Sequence, residues 1–231
     1  IMIEGKAKLP SKFRITAEAC KIAGKNDLKK NKILVIGGGS SEEIDDVRVI
    51  TNKSTGKMAK HLAEVAFNMG ADVELWMGAT TEVVGEWIDQ QKFKSIEDLS
   101  KKIKKLSKYD VILVPAALSD FVPVKNKGKI SSQKIPEIKL KKAKKVIELL
   151  RKKHKGKLCA FKLESGLTDN KLIEKGKTLL KNADIVVANH SEVLGDENTK
   201  LAIITKKGNK WIEDTKINAS KQILKEIVKK I

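Results

Sequence analysis

Short apolar runs that alternate with stretches of helical spacing constrain this chain more than any other feature of its sequence. Between the runs, apolar residues recur every three or four positions, as in Met58, Leu62, Val65 and Met69, which predicts amphipathic helices. The runs themselves predict buried strands at Ile33–Ile36, Val73–Met77, Val111–Val114, Leu158–Leu163 and Ile185–Val187. Strands that alternate with helices form sheets covered on both faces. We therefore predict an α/β fold of three layers, Rossmann-like, with a mostly parallel sheet.

The C-terminal part of the chain departs from this alternation. Two apolar runs, Leu201–Thr205 and Trp211–Asp214, flank a turn sequence around Gly208, which predicts an antiparallel β-hairpin. A last helix follows, with Ser220 as its predicted N-cap. Helices are also predicted around Leu99–Leu106 and over Lys171–Asn182.

Residues 1–31 are rich in lysine and contain no strand pattern. We predict that they are a linker or the tail of a preceding domain. Residues 32–231 are predicted to form one domain, which is within the size that a single core supports. Because the chain starts with Ile1 rather than methionine, we expect it to be a piece of a longer protein.

The net charge of +19 raises the question of nucleic-acid binding. Only Arg14, Arg48 and Arg151 among the 48 basic residues are arginine, and aromatic residues make up 4% of the chain. Nucleic-acid readers rely on arginine forks and stacking aromatics. The composition therefore disfavours a basic nucleic-acid-binding module, which stays an alternative, and it suits small anionic substrates such as phosphates.

No apolar run reaches the roughly 18–20 residues that a membrane-spanning helix needs, and no signal-peptide pattern opens the chain. Cys20, Cys159 and three widely separated histidines show no metal-binding spacing. These features predict a cytoplasmic protein with reduced thiols and no membrane partner.

A glycine turn, Gly37-Gly38-Gly39, follows the first predicted strand and could direct backbone N–H groups at an anion. A nicotinamide-dependent oxidoreductase is the obvious alternative, because Gly37 and Gly39 fit the start of a dinucleotide fingerprint. The third glycine of that fingerprint is replaced by Glu42, whose carboxylate would repel a pyrophosphate.

A second candidate anion loop, Ser54-Thr55-Gly56, precedes Lys57 and the Met58–Met69 pattern. It is not a phosphate-binding Walker loop, because Thr51 and Met58 occupy positions that need glycine and a hydroxyl residue. The N-terminus of the following helix nevertheless favours an anion. A simple helix cap by Ser54 or Thr55 explains the same residues equally well.

Read together, these pieces resemble a known family. Asp45–Met58 resembles the D-P-V-R-x-I-S-N-x-S-S-G-K-M signature of phosphopantothenate–cysteine ligases. Further segments follow in the family's order at Pro115–Phe121, Gly128–Ser132, Ala160–Ser165 and Lys181–Asn189. The resemblance extends from Lys32 to the C-terminus. The chain differs in its first glycine turn and at Ala143–Val146, where the family's N-P-D-I has lost its aspartate.

The resemblance implies a reaction in two steps. The carboxylate of 4′-phosphopantothenate attacks the α-phosphate of CTP, and the amine of L-cysteine then attacks the resulting acyl-cytidylate. Mg²⁺ is the implied metal ion, and a homodimer is the implied assembly. Bacterial and archaeal members commonly follow a flavin-dependent decarboxylase domain. FMN would therefore belong to a preceding half of the protein, through which a higher oligomer could form.

The resemblance also implies roles for individual residues. Asn52, Arg48 and Lys129 are the implied catalytic residues: Asn52 binds the acyl-cytidylate, and Lys129 lies on a mobile flap. The implied nucleotide-binding residues are Pro115, Ala116, Asp120, Lys129, Lys145, Val146, Phe161, Lys177 and Lys181. Asp120 could also hold the metal ion, and Glu164 is a further candidate. Taken alone, Asn52 could be a turn residue, Lys129 a solvated charge and Phe161 a core residue.

Overall fold

The computed structural model describes residues 2–3, 6–7, 9–24, 26–131, 133, 135, 137–193 and 195–229. The strands are β1 (Met2–Ile3), β2 (Lys6–Ala7), β3 (Lys32–Gly37), β4 (Ser41–Glu43), β5 (Val49–Thr51), β6 (Asp72–Met77), β7 (Asp89–Lys92), β8 (Val111–Val114), β9 (Phe121–Pro123), β10 (Leu140–Lys142), β11 (Lys157–Glu164), β12 (Ile185–His190), β13 (Asn198–Thr205) and β14 (Gly208–Thr215). The helices are α1 (Lys12–Ala23), α2 (Lys57–Asn68), α3 (Ile96–Lys104), α4 (Val146–Lys153), α5 (Asp169–Thr178) and α6 (Lys216–Val228), with short 3₁₀ turns at Leu179–Lys181 and Ser191–Val193.

Within the described residues, the central sheet has the strand order β14-β13-β12-β11-β8-β3-β6-β7. Strands β12, β11, β8, β3, β6 and β7 pair in parallel. The last two strands form an antiparallel hairpin that pairs with β12. The predicted mostly parallel sheet and its C-terminal hairpin are therefore confirmed.

The sheet is covered on both faces, which explains the continuous apolar runs of its strands. Ile33 and Val35 of β3 lie in a core with residues of α2 and α6. Leu34 and Ile36 point the other way, into a core with residues of α3, α4 and α5. Successive side chains of a strand alternate between faces, so β3 is buried between two layers of helices. The predicted three-layer architecture is therefore confirmed.

Helix α2 approaches β3 unusually closely. Its buried face carries Ala59, Leu62, Ala63 and Ala66, and such small residues let two backbones come near each other. A Cβ atom built on Gly37 would lie 2.1 Å from the Cβ of Ala59. Glycine at position 37 therefore permits this packing, and the first turn of α2 sits directly beside the end of β3.

Two details of the sequence prediction are wrong. Helix α6 begins at Lys216 rather than after Ser220, and its N-cap is Thr215, whose side chain accepts from the Asn218 N–H. Ser220 lies inside the helix, and its hydroxyl donates to the Lys216 carbonyl over 2.7 Å. A serine can form this bond to the preceding turn.

The N-terminal segment contains a helix that the sequence pattern did not predict. Helix α1 has Ser11 as its N-cap and packs against α2. Leu28, which follows it, is fully buried in the core with α2. The domain boundary at residue 31 stays a prediction. Among the described residues, none of the helices combines the length and apolarity that crossing a membrane requires.

Candidate active site

A cleft lies between β3 and β8, on either side of which the chain continues in opposite directions across the sheet. From β3 the chain moves outward to β6, and it later returns to β8 on the other side of β3 before continuing to β11 and β12. Loops diverge at such a switch point, beyond the carboxyl ends of the strands, and leave room for a ligand. Here the cleft has a volume of about 540 Å³.

The cleft is built from elements of both helical layers. One side is formed by Asn52 and the first turn of α2, and the other by the start of α4. The segment that follows β8 lies between them. Of the residues implied by the family resemblance, those that line the cleft are Asn52, Ser54, Thr55, Gly56, Pro115, Ala116, Asp120, Lys145, Val146, Phe161 and Lys181.

Asn52 lies between β5 and α2, half-buried at the edge of the cleft. Its side-chain amide donates to the Ala117 carbonyl over 2.8 Å, which fixes its orientation toward the segment after β8. The non-glycine residues with positive φ in the described chain are Asn26 and Lys30. Asn52 is therefore not explained as a left-handed turn residue.

The N-terminus of α2 opens into the cleft without a side-chain cap. Its N-cap is Gly56, with a φ of 85°, and this glycine has no side chain that could accept from the first N–H groups of the helix. Thr55 accepts from the Lys57 N–H over 3.3 Å. This bond, made from the residue before the N-cap, is the part of the predicted capping by Ser54 or Thr55 that the structure shows. The N–H groups of Met58 and Ala59 have no acceptor within the helix, and the helix dipole makes this end attractive to an anion.

The glycine turn does not form the predicted anion loop. The Gly39 N–H donates to the Ala79 carbonyl over 2.8 Å, the Ala79 N–H returns a bond to the Gly39 carbonyl, and the Ser40 N–H donates to Ala117. The donors of Gly39 and Ser40 are thus used within the protein. Gly37, Gly38 and Gly39 do not line the cleft. Gly38 instead adopts a φ of 73° and packs against Gly78 and Ala79.

Asp120 and Lys145 face each other at the mouth of the cleft. The Lys145 ammonium lies 2.6 Å from an Asp120 carboxylate oxygen, and both side chains are exposed. Among the described residues, no group of three or more His, Cys, Asp or Glu side chains could hold a metal ion. One carboxylate is compatible with Mg²⁺, which is commonly bound by one or two carboxylates together with substrate phosphates.

Phe161, on β11, lines the cleft and also packs against the core next to α2. The packing of Phe161 against the core is confirmed, and its contact with the nucleotide base stays a prediction. Lys181 lines the cleft, whereas Lys177 does not. A helix over Lys171–Asn182, as predicted, would put these lysines, four residues apart, on one face. Helix α5 instead ends at Thr178 and Lys181 lies in a 3₁₀ turn, which changes the angle between the two side chains.

Arg48 and Lys129 also lie outside the cleft. The Arg48 guanidinium pairs with Asp45 and donates to the Ile130 carbonyl over 2.7 Å, so it is engaged within the protein and not directed at a ligand. Lys129 is exposed. Ser132, the last residue of the predicted flap, is outside the described residues.

The comparisons with known proteins identify the family of this chain. Residues 28–231 match the model of a family described as the DNA/pantothenate metabolism flavoprotein C-terminal domain. The chain belongs to this family. It is 34% identical to the coenzyme A biosynthesis bifunctional protein CoaBC of Methanocaldococcus jannaschii, over 98% of this chain and 58% of that one. The chain therefore spans less than two thirds of that relative.

Solved structures of the family have the same fold. The DNA/pantothenate metabolism flavoprotein from Streptococcus pneumoniae matches with a TM-score of 0.77 and 26% identity, covering 85% of this chain and 98% of the other. The C-terminal domain of a coenzyme A biosynthesis bifunctional protein CoaBC matches with a TM-score of 0.71 and 29% identity, covering 88% and 97%.

Four lysines of this family member, namely Lys57, Lys144, Lys162 and Lys216, line the cleft but were not predicted as site residues, and Lys57 and Lys216 are held by bonds to residues 195–197. The Lys57 ammonium donates to the Gly195 carbonyl over 2.9 Å and to Glu197 over 2.6 Å, and the bond to Glu197 raises the pKa of Lys57. Lys216 is buried, its ammonium donates to the Asp196 carbonyl, and burial lowers its pKa. Lys57 could have been identified from its place in the signature. Lys216 could not, because nothing local distinguishes it from the many other lysines.

Proposed function

We propose that this cleft joins 4′-phosphopantothenate to L-cysteine at the expense of CTP, in the cytoplasm. The products are 4′-phosphopantothenoylcysteine, CMP and pyrophosphate. One observation carries the proposal: the Asn52 loop of the family signature meets the uncapped N-terminus of α2 inside a cleft rimmed by Lys145 and Lys181. This arrangement offers hydrogen-bond donors and positive charge where a phosphate and an activated carboxylate would lie.

The first step needs charge stabilisation more than a side-chain nucleophile. A carboxylate oxygen of the substrate attacks the α-phosphorus, and the bond to the bridging oxygen of pyrophosphate breaks. Negative charge grows on the leaving oxygens, so nearby ammonium groups and backbone N–H groups lower the barrier. Lys145, Lys181 and the N–H groups of Met58 and Ala59 are suited to this role. Mg²⁺ held by Asp120 and the phosphates would neutralise further charge.

In the second step, the cysteine amine attacks the acyl carbon, loses a proton and displaces CMP. The Asn52 amide is suited to orienting the acyl-cytidylate, because a side-chain amide donates to a phosphate or carbonyl oxygen. The described residues that line the cleft include no histidine or cysteine, and burial raises the pKa of the Cys159 thiol. Positioning of the two substrates is therefore the main source of catalysis in this proposal.

The test is pyrophosphate release from CTP by the purified chain. We expect release to require 4′-phosphopantothenate, and CMP release to require L-cysteine as well. A matched reaction with ATP in place of CTP measures nucleotide preference. Pyrophosphate release that is indifferent to 4′-phosphopantothenate would overturn the proposal.

We further propose that the active assembly is a homodimer. Strands β4 and β5 pair as one ribbon, β9 and β10 pair as another, and β4 contacts β9. These ribbons and their flanks expose large apolar side chains, namely Val47, Val49, Ile50, Phe121, Val124 and Leu140. Clustered apolar exposure of this kind is typical of an interface. A second copy of the chain is the proposed occupant.

We expect sedimentation at micromolar concentration to give the mass of two chains. Val49→Asp, which puts a charge on the exposed ribbon, should shift the protein toward a monomer with lower activity. Val83→Asp is the matched control, because Val83 is a more exposed valine in the loop after β6. A wild-type monomer with full activity would contradict the proposal.

A further inference from the structure

Asp45 is a buried carboxylate on the turn between β4 and β5, and its side chain has no exposed surface. One oxygen accepts from the N–H groups of Val47 and Arg48 over 2.8 and 2.7 Å. These bonds close the turn locally, as aspartate side chains commonly do. They account for only one of the two oxygens.

The second oxygen of Asp45 reaches a distant part of the chain. It accepts from the Arg48 guanidinium, with Nε at 2.9 Å, and from the backbone N–H of Ile130 over 3.0 Å. Arg48 in turn donates to the Ile130 carbonyl over 2.7 Å. Both backbone polar groups of Ile130 are therefore held by the Asp45–Arg48 pair.

The segment before Ile130 is held to the same turn. The Asn126 N–H donates to the Ile44 carbonyl over 2.9 Å, and the Gly128 N–H donates to the Asp46 carboxylate over 2.9 Å. Lys125 forms ion pairs with Glu43 and Asp46. Residues 125–130 are thus anchored at several points, whereas the family resemblance had implied a mobile flap.

Lys129 is the residue between the Gly128 and Ile130 anchors, and its own side chain is exposed. We propose that Asp45 is a positioning residue for Lys129. By holding the Ile130 backbone, it fixes the backbone position from which the Lys129 side chain extends. This inference rests on the proposed function and on the first-step role that the family resemblance implies for Lys129, whose side chain lies outside the cleft of this chain. Asp45 itself touches no substrate.

The chemistry of the contact requires a carboxylate. All of the groups that surround Asp45 are donors, and an ionised carboxylate is the side chain that only accepts. Its hydrogen bond from Ile130, followed by those from Val47 and Arg48, lowers the pKa of Asp45 well below its ordinary value against the opposing effect of burial. An asparagine replaces one of the two oxygens with an NH2 group, so donors would face each other either at the local turn or at Ile130 and the Arg48 guanidinium.

The test is a double-mutant cycle on pyrophosphate release, with Asp45→Asn, Lys129→Gln and the two combined. If Asp45 acts through Lys129, Asp45→Asn should lower kcat about tenfold in the wild-type chain and less than about twofold in the Lys129→Gln chain. The KM for CTP should change less than kcat. If Asp45 has a purely structural role, the fold losses in kcat of the two single variants should multiply in the double variant, and that result would overturn the proposal.

Two controls keep the cycle decisive. Asp89→Asn removes a negative charge from β7, an exposed strand at the edge of the central sheet, and it should retain the wild-type kcat. An equal loss in Asp89→Asn would overturn the proposal in favour of a general charge effect. Asp45→Ser is measured beside Asp45→Asn, because a serine hydroxyl can still close the local turn but has no second oxygen for Ile130.

Amide hydrogen exchange provides a readout that does not depend on activity. The Ile130 amide should exchange faster in Asp45→Ser and at the wild-type rate in Asp89→Asn; wild-type exchange in Asp45→Ser would overturn the contact on which the inference is built. A wild-type chain that releases no pyrophosphate would reject the proposed function and this inference with it. An active wild type with multiplied losses would reject the inference alone.

Discussion

Replacing Asn52 with aspartate is expected to stop the reaction after its first step. The change keeps the shape of the side chain but replaces the amide donor with an anion. The Asn52 amide donates to the Ala117 carbonyl, and a carboxylate at that place would face an acceptor and repel the phosphate of the intermediate. Product formation should fall roughly a hundredfold, as for the loss of one preorganised donor.

The two steps can be separated by their products. In Asn52→Asp, a burst of pyrophosphate should persist while CMP release slows, so that acyl-cytidylate accumulates and can be trapped by rapid quenching. Asn182→Asp is the matched control, since Asn182 lines the same cleft from the α5 side. If CMP release slows equally in Asn182→Asp, the effect comes from any negative charge added to the cleft and is not specific to Asn52. Wild-type rates in Asn52→Asp would remove Asn52 from the site.

Lys129→Gln is expected to act on the first step, in which the family resemblance implies a role for Lys129 although its side chain lies outside the cleft of this chain. Attack on the α-phosphate builds charge on the bridging and leaving oxygens, and an ammonium nearby offsets it. Turnover should drop on the order of a hundredfold. Because Lys129 is exposed, the melting temperature should change by less than about 2 °C. Pyrophosphate release and thermal unfolding measure the two effects separately.

Lys127→Gln is the appropriate comparison for Lys129→Gln, because Lys127 is equally exposed and lies in the same segment. Lys125 is less suitable, since its ion pairs with Glu43 and Asp46 help to anchor that segment. If Lys127→Gln loses as much activity, and added salt reproduces the loss, Lys129 only contributes to a general positive field. A loss confined to Lys129 supports a specific role.

The buried strands were predictable because both faces of the central sheet are covered. Strands β3 and β8 are apolar at every core position, so the sequence pattern alone indicates them. Strand β7 was not predictable, because all of its residues are exposed and polar. The three-residue strands β4 and β9 were missed for a related reason: pairing between short segments leaves almost no periodic signal.

The site was predictable where a residue's role depends on local sequence, and less so where it depends on tertiary contacts. Asn52 and Gly56 lie in a contiguous signature, and both line the cleft. Arg48 belongs to the same signature, yet its guanidinium is directed to Asp45 and Ile130. Only the fold reveals that contact, because Ile130 is far away in sequence. The burial of Lys216 likewise arises from packing that no local pattern records.

The backbone hydrogen bonds that join residues 38–40 to Ala79 and Ala117 have a consequence for the thermodynamics of ligand binding. Loops that leave three different strands are bonded to one another beside the cleft, so this backbone is already ordered before a ligand arrives. Binding need not reduce its conformational freedom. The entropy cost then falls on the long rim side chains, such as Lys145 and Lys181, at about 0.5–1.5 kcal/mol for each one immobilised. Affinity should therefore change more when the rim lysines are replaced by less flexible side chains than when the bonded backbone beside the cleft is altered.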